Sequence, residues 1–211
     1  MALHDDRKEY VKGSLDDRWL QADPFIQFEA WMNEYQATGV EDATAFALST
    51  VSANGDPDAR TVLLKEVREG ELVFYTNYTS KKGKDLEATP RAHALFFWPS
   101  LERQIRVLGS VHKISVEESS AYFASRPLGS QWGAAASQQS QPIASREAME
   151  AQWKALQDQY PDSIPRPDHW GGYAIRAERI EFWQGRASRL HDRIQFTRQP
   201  NQSWTAQRLQ P

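Results

Sequence analysis

The chain has 211 residues, a formal net charge of −3, 40% hydrophobic and 25% charged residues, and no cysteine. These totals describe a globular chain with enough length for a proper core. They exclude disulfides, thiol nucleophiles and thiolate metal sites, and they leave no global basic field for nucleic acid or an anionic membrane.

The opening MALHDDRKEYVKG has no apolar centre of the kind a secretory signal needs, and no run approaches the roughly 18 apolar residues of a membrane span. A cytoplasmic protein without membrane or nucleic-acid partners is the expectation. Residues 1–20 are polar and charged and read as an N-terminal arm, with residues 21–211 as a single domain. Asp23-Pro24 supplies an N-cap followed by proline at the first helical position. Phe25, Phe28, Met32 and Tyr35 then recur at helical spacing, and Gly39 can end the helix.

Five strand-like runs follow at 44–52, 59–67, 71–77, 91–98 and 101–114, the first two ended by the turn sequences NGDP and REG. A helix start is read near Ser80, and helical segments are read at about 116–125 and 145–160. Strand patterns return at 172–184, 189–198 and 203–209. About eight short strands with few helices predict a mainly β protein with peripheral helices (α+β), built as an antiparallel barrel rather than a βαβ sheet.

Common nucleotide cradles are absent, as are a G-x-S-x-G elbow and any close histidine pair, so no metal is expected. An enzyme of this kind would rely on a bound organic cofactor. Four places put cations in structured stretches. Arg60 and Lys65 bracket TVLL. SKKGK opens a helix, where free amides and lysines can hold an anion. Tyr122 and Arg126 share a helical face, with Ser130 just beyond. In EFWQGRASRLHDR (181–193), a strand would put Arg189, His191 and Arg193 on one face, with Asp192 on the other. Each alone has a plain structural explanation, namely strand-end charges, a solvated lysine run, a helix-dipole partner or a surface strand. Together they suggest small phosphorylated ligands, one or two of them.

RTVLLK (60–65), FYTN (74–77), LERQIRV (101–107), SRP with SQ (125–131), QS (139–140) and EFWQG with RLHDR (181–193) appear in this order. With RKEY (7–10) and the terminal RLQP (208–211), they make nearly the whole chain resemble the FMN-dependent pyridoxine/pyridoxamine 5'-phosphate oxidase family. The resemblance implies an FMN-binding split β-barrel of antiparallel Greek-key type, working as a homodimer with FMN at the subunit interface. It also implies oxidation of pyridoxine 5'-phosphate or pyridoxamine 5'-phosphate to pyridoxal 5'-phosphate, by net hydride transfer from C4' to flavin N5. Oxygen would reoxidise the flavin and give hydrogen peroxide.

Carried over position by position, the FMN site would be Arg60, Thr61, Val62, Leu63, Leu64, Lys65, Tyr75, Thr76, Lys81, Lys82, Gln104, Gln139, Ser140, Trp183 and Arg193. Lys65, Tyr122, Arg126 and Ser130 would hold the substrate phosphate. Arg189, Leu190 and His191 would lie at its ring, Arg189 and His191 in catalytic roles, and Arg7, Lys8, Glu9 and Tyr10 would close over it. Lys81 stands where the family often has arginine, and Trp132 and Ala135 depart from the usual pattern. Two rivals keep part of this set: a split-barrel flavin reductase of other specificity, and a non-catalytic pyridoxal-phosphate-binding protein.

Overall fold

The computed structural model describes residues 9–21 and 23–211. After a short 3-10 turn at Asp17–Gln21, helix α1 spans Pro24–Gln36. The Asp23 carboxylate caps it by accepting from the Phe25 amide at 2.8 Å. Its buried positions are Pro24, Gln27, Phe28, Trp31, Met32 and Tyr35, the three-and-four spacing of one helical face. Gly39 lies three residues past the helix end with φ of 74°, a conformation glycine adopts without a Cβ clash.

Nine strands follow: β1 (Ala45–Val51), β2 (Pro57–Leu63), β3 (Glu66–Arg68), β4 (Glu71–Asn77), β5 (Arg91–Trp98), β6 (Arg103–Lys113), β7 (Trp170–Gln184), β8 (Asp192–Arg198) and β9 (Trp204–Leu209). The helices among them are α2 (Lys81–Ala88), α3 (Val116–Ser125), α4 (Leu128–Ala136) and α5 (Arg146–Gln159). The strands hydrogen-bond in the order β2-β1-β5-β6-β7-β4-β3, with β8 on β7 and β9 on β8. The pairs β3–β4, β4–β7, β7–β8 and β8–β9 are all antiparallel. Mainly β with helices around it is the class that the sequence predicts.

Four expectations need correction. The run 59–67 is two strands, because the chain turns at Leu64-Lys65: Leu64 is buried, and the Lys65 amide donates to Val73 O at 2.9 Å. Helix α4 is absent from the sequence reading, its LGSQWGAAA stretch offering glycines rather than a clear apolar stripe. The strand expected from 189 begins only at Asp192. Ser188 and Arg189 have φ of 55° and 62° in a 3-10 turn, so Arg189, His191 and Arg193 do not share a strand face. Finally, strand β6 starts at Arg103, after Glu102 at φ of 56°.

The described residues fall into two compact units, each gathered from separate parts of the chain. One contains the residues up to Leu48, His93–Gly109 and Ala177–Pro211; the other contains Ser49–Ala92 and Ser110–Arg176. In the first, Phe28 meets Phe96 edge-on at 5.2 Å, Trp31 meets Phe182 at 5.3 Å and Tyr35 stacks on Trp98 at 5.0 Å. The second is centred on Phe123, Trp132, Ile164 and Trp170, with a smaller cluster of Val73, Ile114 and Ala174. No described helix is long and apolar enough to cross a membrane.

Candidate functional site

The second unit contains a cavity of about 770 Å³. Its walls come from the end of β2, from β4, from the first turn of α2, from the α3–α4 corner and from the start of β7. The corner has clear local causes. A capping box starts α3: the Ser115 hydroxyl accepts from the Glu118 amide at 3.1 Å, and the Glu118 carboxylate accepts from the Ser115 amide at 3.1 Å. Hydrogen bonds from Arg68 and then Ser115 hold Glu118 down at a pKa of about 2. Pro127 ends the helix by forcing Arg126 into extended backbone, φ −75° and ψ 152°. The Gln131 side-chain amide then donates to Arg126 O at 2.8 Å and fixes the bend.

One wall is aromatic. Tyr75 stacks on Tyr122 with ring centres 3.8 Å apart and on Trp170 at 5.5 Å, all three rings within 17° of parallel. The register of β4 with β7 permits this by placing Gly172 opposite Tyr75. A Cβ on Gly172 would lie 2.9 Å from the Tyr75 ring and 2.4 Å from Ile114 Cδ1.

Three cations line the cavity, Lys65, Lys82 and Arg126, and none has an ion pair among the described residues; Lys65 is exposed, the other two are not. Lys82 is buried, and its Nζ donates to Gln139 Oε1 at 2.8 Å and Thr76 Oγ1 at 3.2 Å, both uncharged acceptors. Burial, then the nearby charge of Arg60, lowers its pKa to about 8, with Asp58 opposing. Arg126 lies over Trp170 at 4.7 Å, and its Nη1 is buried with no hydrogen-bond partner. Burial lowers its pKa as well. An orphaned guanidinium N–H and a desolvated ammonium beside stacked rings suit phosphorylated aromatic ligands.

Of the residues carried over from the resemblance, Thr61, Val62, Leu63, Lys65, Tyr75, Thr76, Lys82, Tyr122, Arg126, Ser130 and Gln139 line this cavity together. Arg60, Leu64, Lys81 and Ser140 do not. Arg60 donates to Thr50 and Asp58, each at 2.7 Å, and Lys81 is paired with Asp85 at 3.1 Å and Asp58 at 3.5 Å. Leu64 is core, and Ser140 lines a neighbouring cavity of about 240 Å³ that also includes Gln139.

The remaining predicted residues within the described range belong to the first unit. His191 lies 4.7 Å from Trp183 between ring centres, and Tyr10 approaches both edge-on, at 5.5 and 5.7 Å. The Arg186 amide donates to His191 Nδ1 at 3.1 Å, so a neutral ring carries its proton on Nε2 and presents a donor there. Burial, then the Arg189 charge, lowers the His191 pKa. Arg189, Leu190 and Glu9 are exposed, and Gln104 is half-buried on β6. Arg7 and Lys8 lie outside the described residues.

Alternation sets Asp192 on the face opposite Arg193, and the structure supplies a different acid. Glu181, buried on the adjacent strand, accepts from Arg193 Nε at 2.9 Å and pairs with Arg106 at 3.3 Å. Asp192 instead pairs with Arg186 and Arg208, each at 2.9 Å. Sequence reasoning also missed Trp170 and Asn77 as cavity residues. The signal for Trp170 was its place beside GG, where a bare backbone admits rings.

Residues 32–160 match the family model described as pyridoxamine 5'-phosphate oxidase, and residues 170–211 match the pyridoxine 5'-phosphate oxidase C-terminal dimerisation region. A Bordetella pertussis protein named pyridoxine/pyridoxamine 5'-phosphate oxidase is 50% identical over 211 residues, covering 100% of both chains. One of the same name from Burkholderia multivorans is 51% identical, covering 99% of both. Among solved structures, PhzG from Burkholderia lata 383, in complex with tetrahydrophenazine-1-carboxylic acid, superimposes with a TM-score of 0.89 at 26% identity, over 95% of this chain and 99% of that one. A pyridoxamine 5'-phosphate oxidase-related, FMN binding protein from Nostoc punctiforme has a TM-score of 0.74 at 19% identity, over 90% and 100%, a likeness of fold. The architecture is the split barrel of these proteins.

Proposed function

Because the chain belongs to the pyridoxine/pyridoxamine 5'-phosphate oxidase family, we propose that it uses FMN to oxidise pyridoxine 5'-phosphate and pyridoxamine 5'-phosphate to pyridoxal 5'-phosphate. The observation that carries this reading is Arg126, whose buried Nη1 has no acceptor among the described residues and lies at a cavity walled by stacked rings. A phosphate monoester is the acceptor such a group lacks, and its aromatic ring matches the adjoining wall.

Arg126, with Lys65, Tyr122 and Ser130, holds the substrate phosphate. Charged hydrogen bonds of this type contribute about 1.5–3 kcal/mol each, enough to fix a small ring that has few other handles. Lys82, Gln139, Thr76 and the end of β2 hold FMN. When bound, FMN would supply the acceptor for the net hydride leaving C4', with oxygen as the final oxidant giving hydrogen peroxide, and water would release ammonia from the amine substrate. Arg189 and His191 orient the pyridine ring, His191 donating from Nε2, and Tyr10 with the arm covers it. The chemistry asks the protein mainly for positioning and exclusion of water. The match of residues 170–211 to a dimerisation region supports a homodimer, in which FMN would sit at the subunit interface.

The test is an anaerobic addition of pyridoxine 5'-phosphate to the flavin-loaded protein. Bleaching of the flavin band is expected. A band that responds instead to a reduced tricyclic acid of the kind PhzG holds, and ignores the phosphate ester, would overturn the reading. A protein that cannot be loaded with flavin would overturn it as well.

A further inference from the structure

Glu102 is a carboxylate 1% exposed, at a left-handed φ of 56°, between the β5 turn and β6. Its Oε2 accepts two backbone N–H groups from the arm, from Val11 at 2.8 Å and Lys12 at 3.0 Å. Its carbonyl accepts from the Gly185 amide at 2.8 Å and from the Gln184 side chain at 3.2 Å. One residue thus grips the arm with its side chain and the EFWQG segment with its backbone.

The seat is fitted to the arm. A Cβ on Gly185 would lie 2.8 Å from the Tyr10 ring, and one on Gly13 would lie 2.8 Å from Gln184 Oε1. Tyr10, one residue before the gripped amides, meets Trp183 and His191 edge-on. A buried carboxylate that accepts backbone amides makes charge-assisted bonds, while the strained backbone beneath it suits a functional position.

We infer that Glu102 is a positioning residue, a latch whose carboxylate holds arm residues Val11 and Lys12 so that Tyr10 covers Trp183 and His191. It touches neither substrate nor cofactor and acts through the arm. Its effect on turnover rests on the function proposed above; its hold on the arm does not.

The experiment compares full-length, flavin-loaded wild type with Glu102→Gln, Tyr10→Ala and the double variant. Trypsin cleavage after Lys12, read by mass spectrometry, reports release of the arm directly. Loss of the charged acceptor is expected to speed that cut about tenfold, and an unchanged rate overturns the latch. With pyridoxine 5'-phosphate, kcat/KM of Glu102→Gln should fall about tenfold at unchanged flavin content, and by less than about twofold further when Tyr10 is already alanine. Fully additive losses would overturn the latch, because Glu102 would then act on something other than the arm. Val11→Pro deletes one gripped N–H at a position 77% exposed and leaves Glu102 in place. It should reproduce the faster cut even if Glu102→Gln fails to fold, and its failure to do so overturns the proposal. Faster cleavage in a protein inert toward the phosphate ester would keep the latch and discard the proposed substrate.

Discussion

The cations of the cavity and those around Glu181 and Asp192 are treated in opposite ways. In the cavity, among the described residues, Lys82 has only neutral acceptors and Arg126 keeps a buried N–H without a partner. By contrast, Glu181 serves Arg193 and Arg106, and Asp192 serves Arg186 and Arg208. A paired cation has its geometry set by the fold. An unpaired buried cation costs stability until an anion arrives, and that cost becomes selectivity for anions. The contrast separates positions left open to a ligand from positions already occupied with other side chains.

The largest expected effect is at Glu181. Glu181→Ala strips two half-exposed arginines of their shared acid and should lower stability by about 2–3 kcal/mol, less than a fully buried pair because water screens both. Urea unfolding of the flavin-free protein measures it, and a change below about 0.5 kcal/mol would erase the contrast. Next, Arg126→Ala should raise KM for pyridoxine 5'-phosphate about 10- to 100-fold with a smaller change in kcat. A fall confined to kcat would remove Arg126 from phosphate binding.

Lys82→Met sharpens the comparison. It should weaken FMN binding about tenfold, yet stabilise the flavin-free protein by about 1 kcal/mol, since it removes a desolvated charge with no acid to match it. Loss of stability in both forms would make Lys82 an ordinary structural cation.

The smallest effect is a pH dependence. The folded pKa of Lys82, about 8, lies below its ordinary 10.5, so the unfolded chain binds more protons between those values. The stability of the flavin-free protein should therefore gain from Lys82 as pH rises through that window. FMN affinity should run the other way, flat below pH 8 and falling by about tenfold in all above it, the same loss expected of Lys82→Met, because the phosphate favours the ammonium. Fluorescence titration of FMN across pH 7–10 in wild type and Lys82→Met would show whether Lys82 is the group.

Much of this was legible beforehand because it follows from local chemistry. Asp23-Pro24 starts α1, the strand patterns of 71–77 and 91–98 hold to the residue, and Tyr122 and Arg126 line one cavity, although Arg126 is the extended cap that ends α3 and not part of its helical face. The misses arise where tertiary packing overrides local pattern. Helix α4 is held by Gln131 and by Trp132, whose indole donates to Tyr160 O at 2.9 Å, contacts that no periodicity announces. The left-handed Ser188-Arg189 turn broke a strand that alternation alone would extend. Glu181 as the partner of Arg193 depends on the register that sets Trp183 opposite Arg193, and a cross-strand register is invisible in one sequence.

The bonds around Arg208 also constrain the order in which the molecule can be completed. Arg208 donates to Leu15 O and Asp17, 193 and 191 residues earlier, and Asp192 accepts from the Leu15 amide. During synthesis the arm emerges long before the strand that secures it. Its final fastening waits until translation has reached Arg208, and loop closure over such a span slows folding. Trimming β9 would then leave its mark at the opposite end of the chain, on the segment that carries Tyr10.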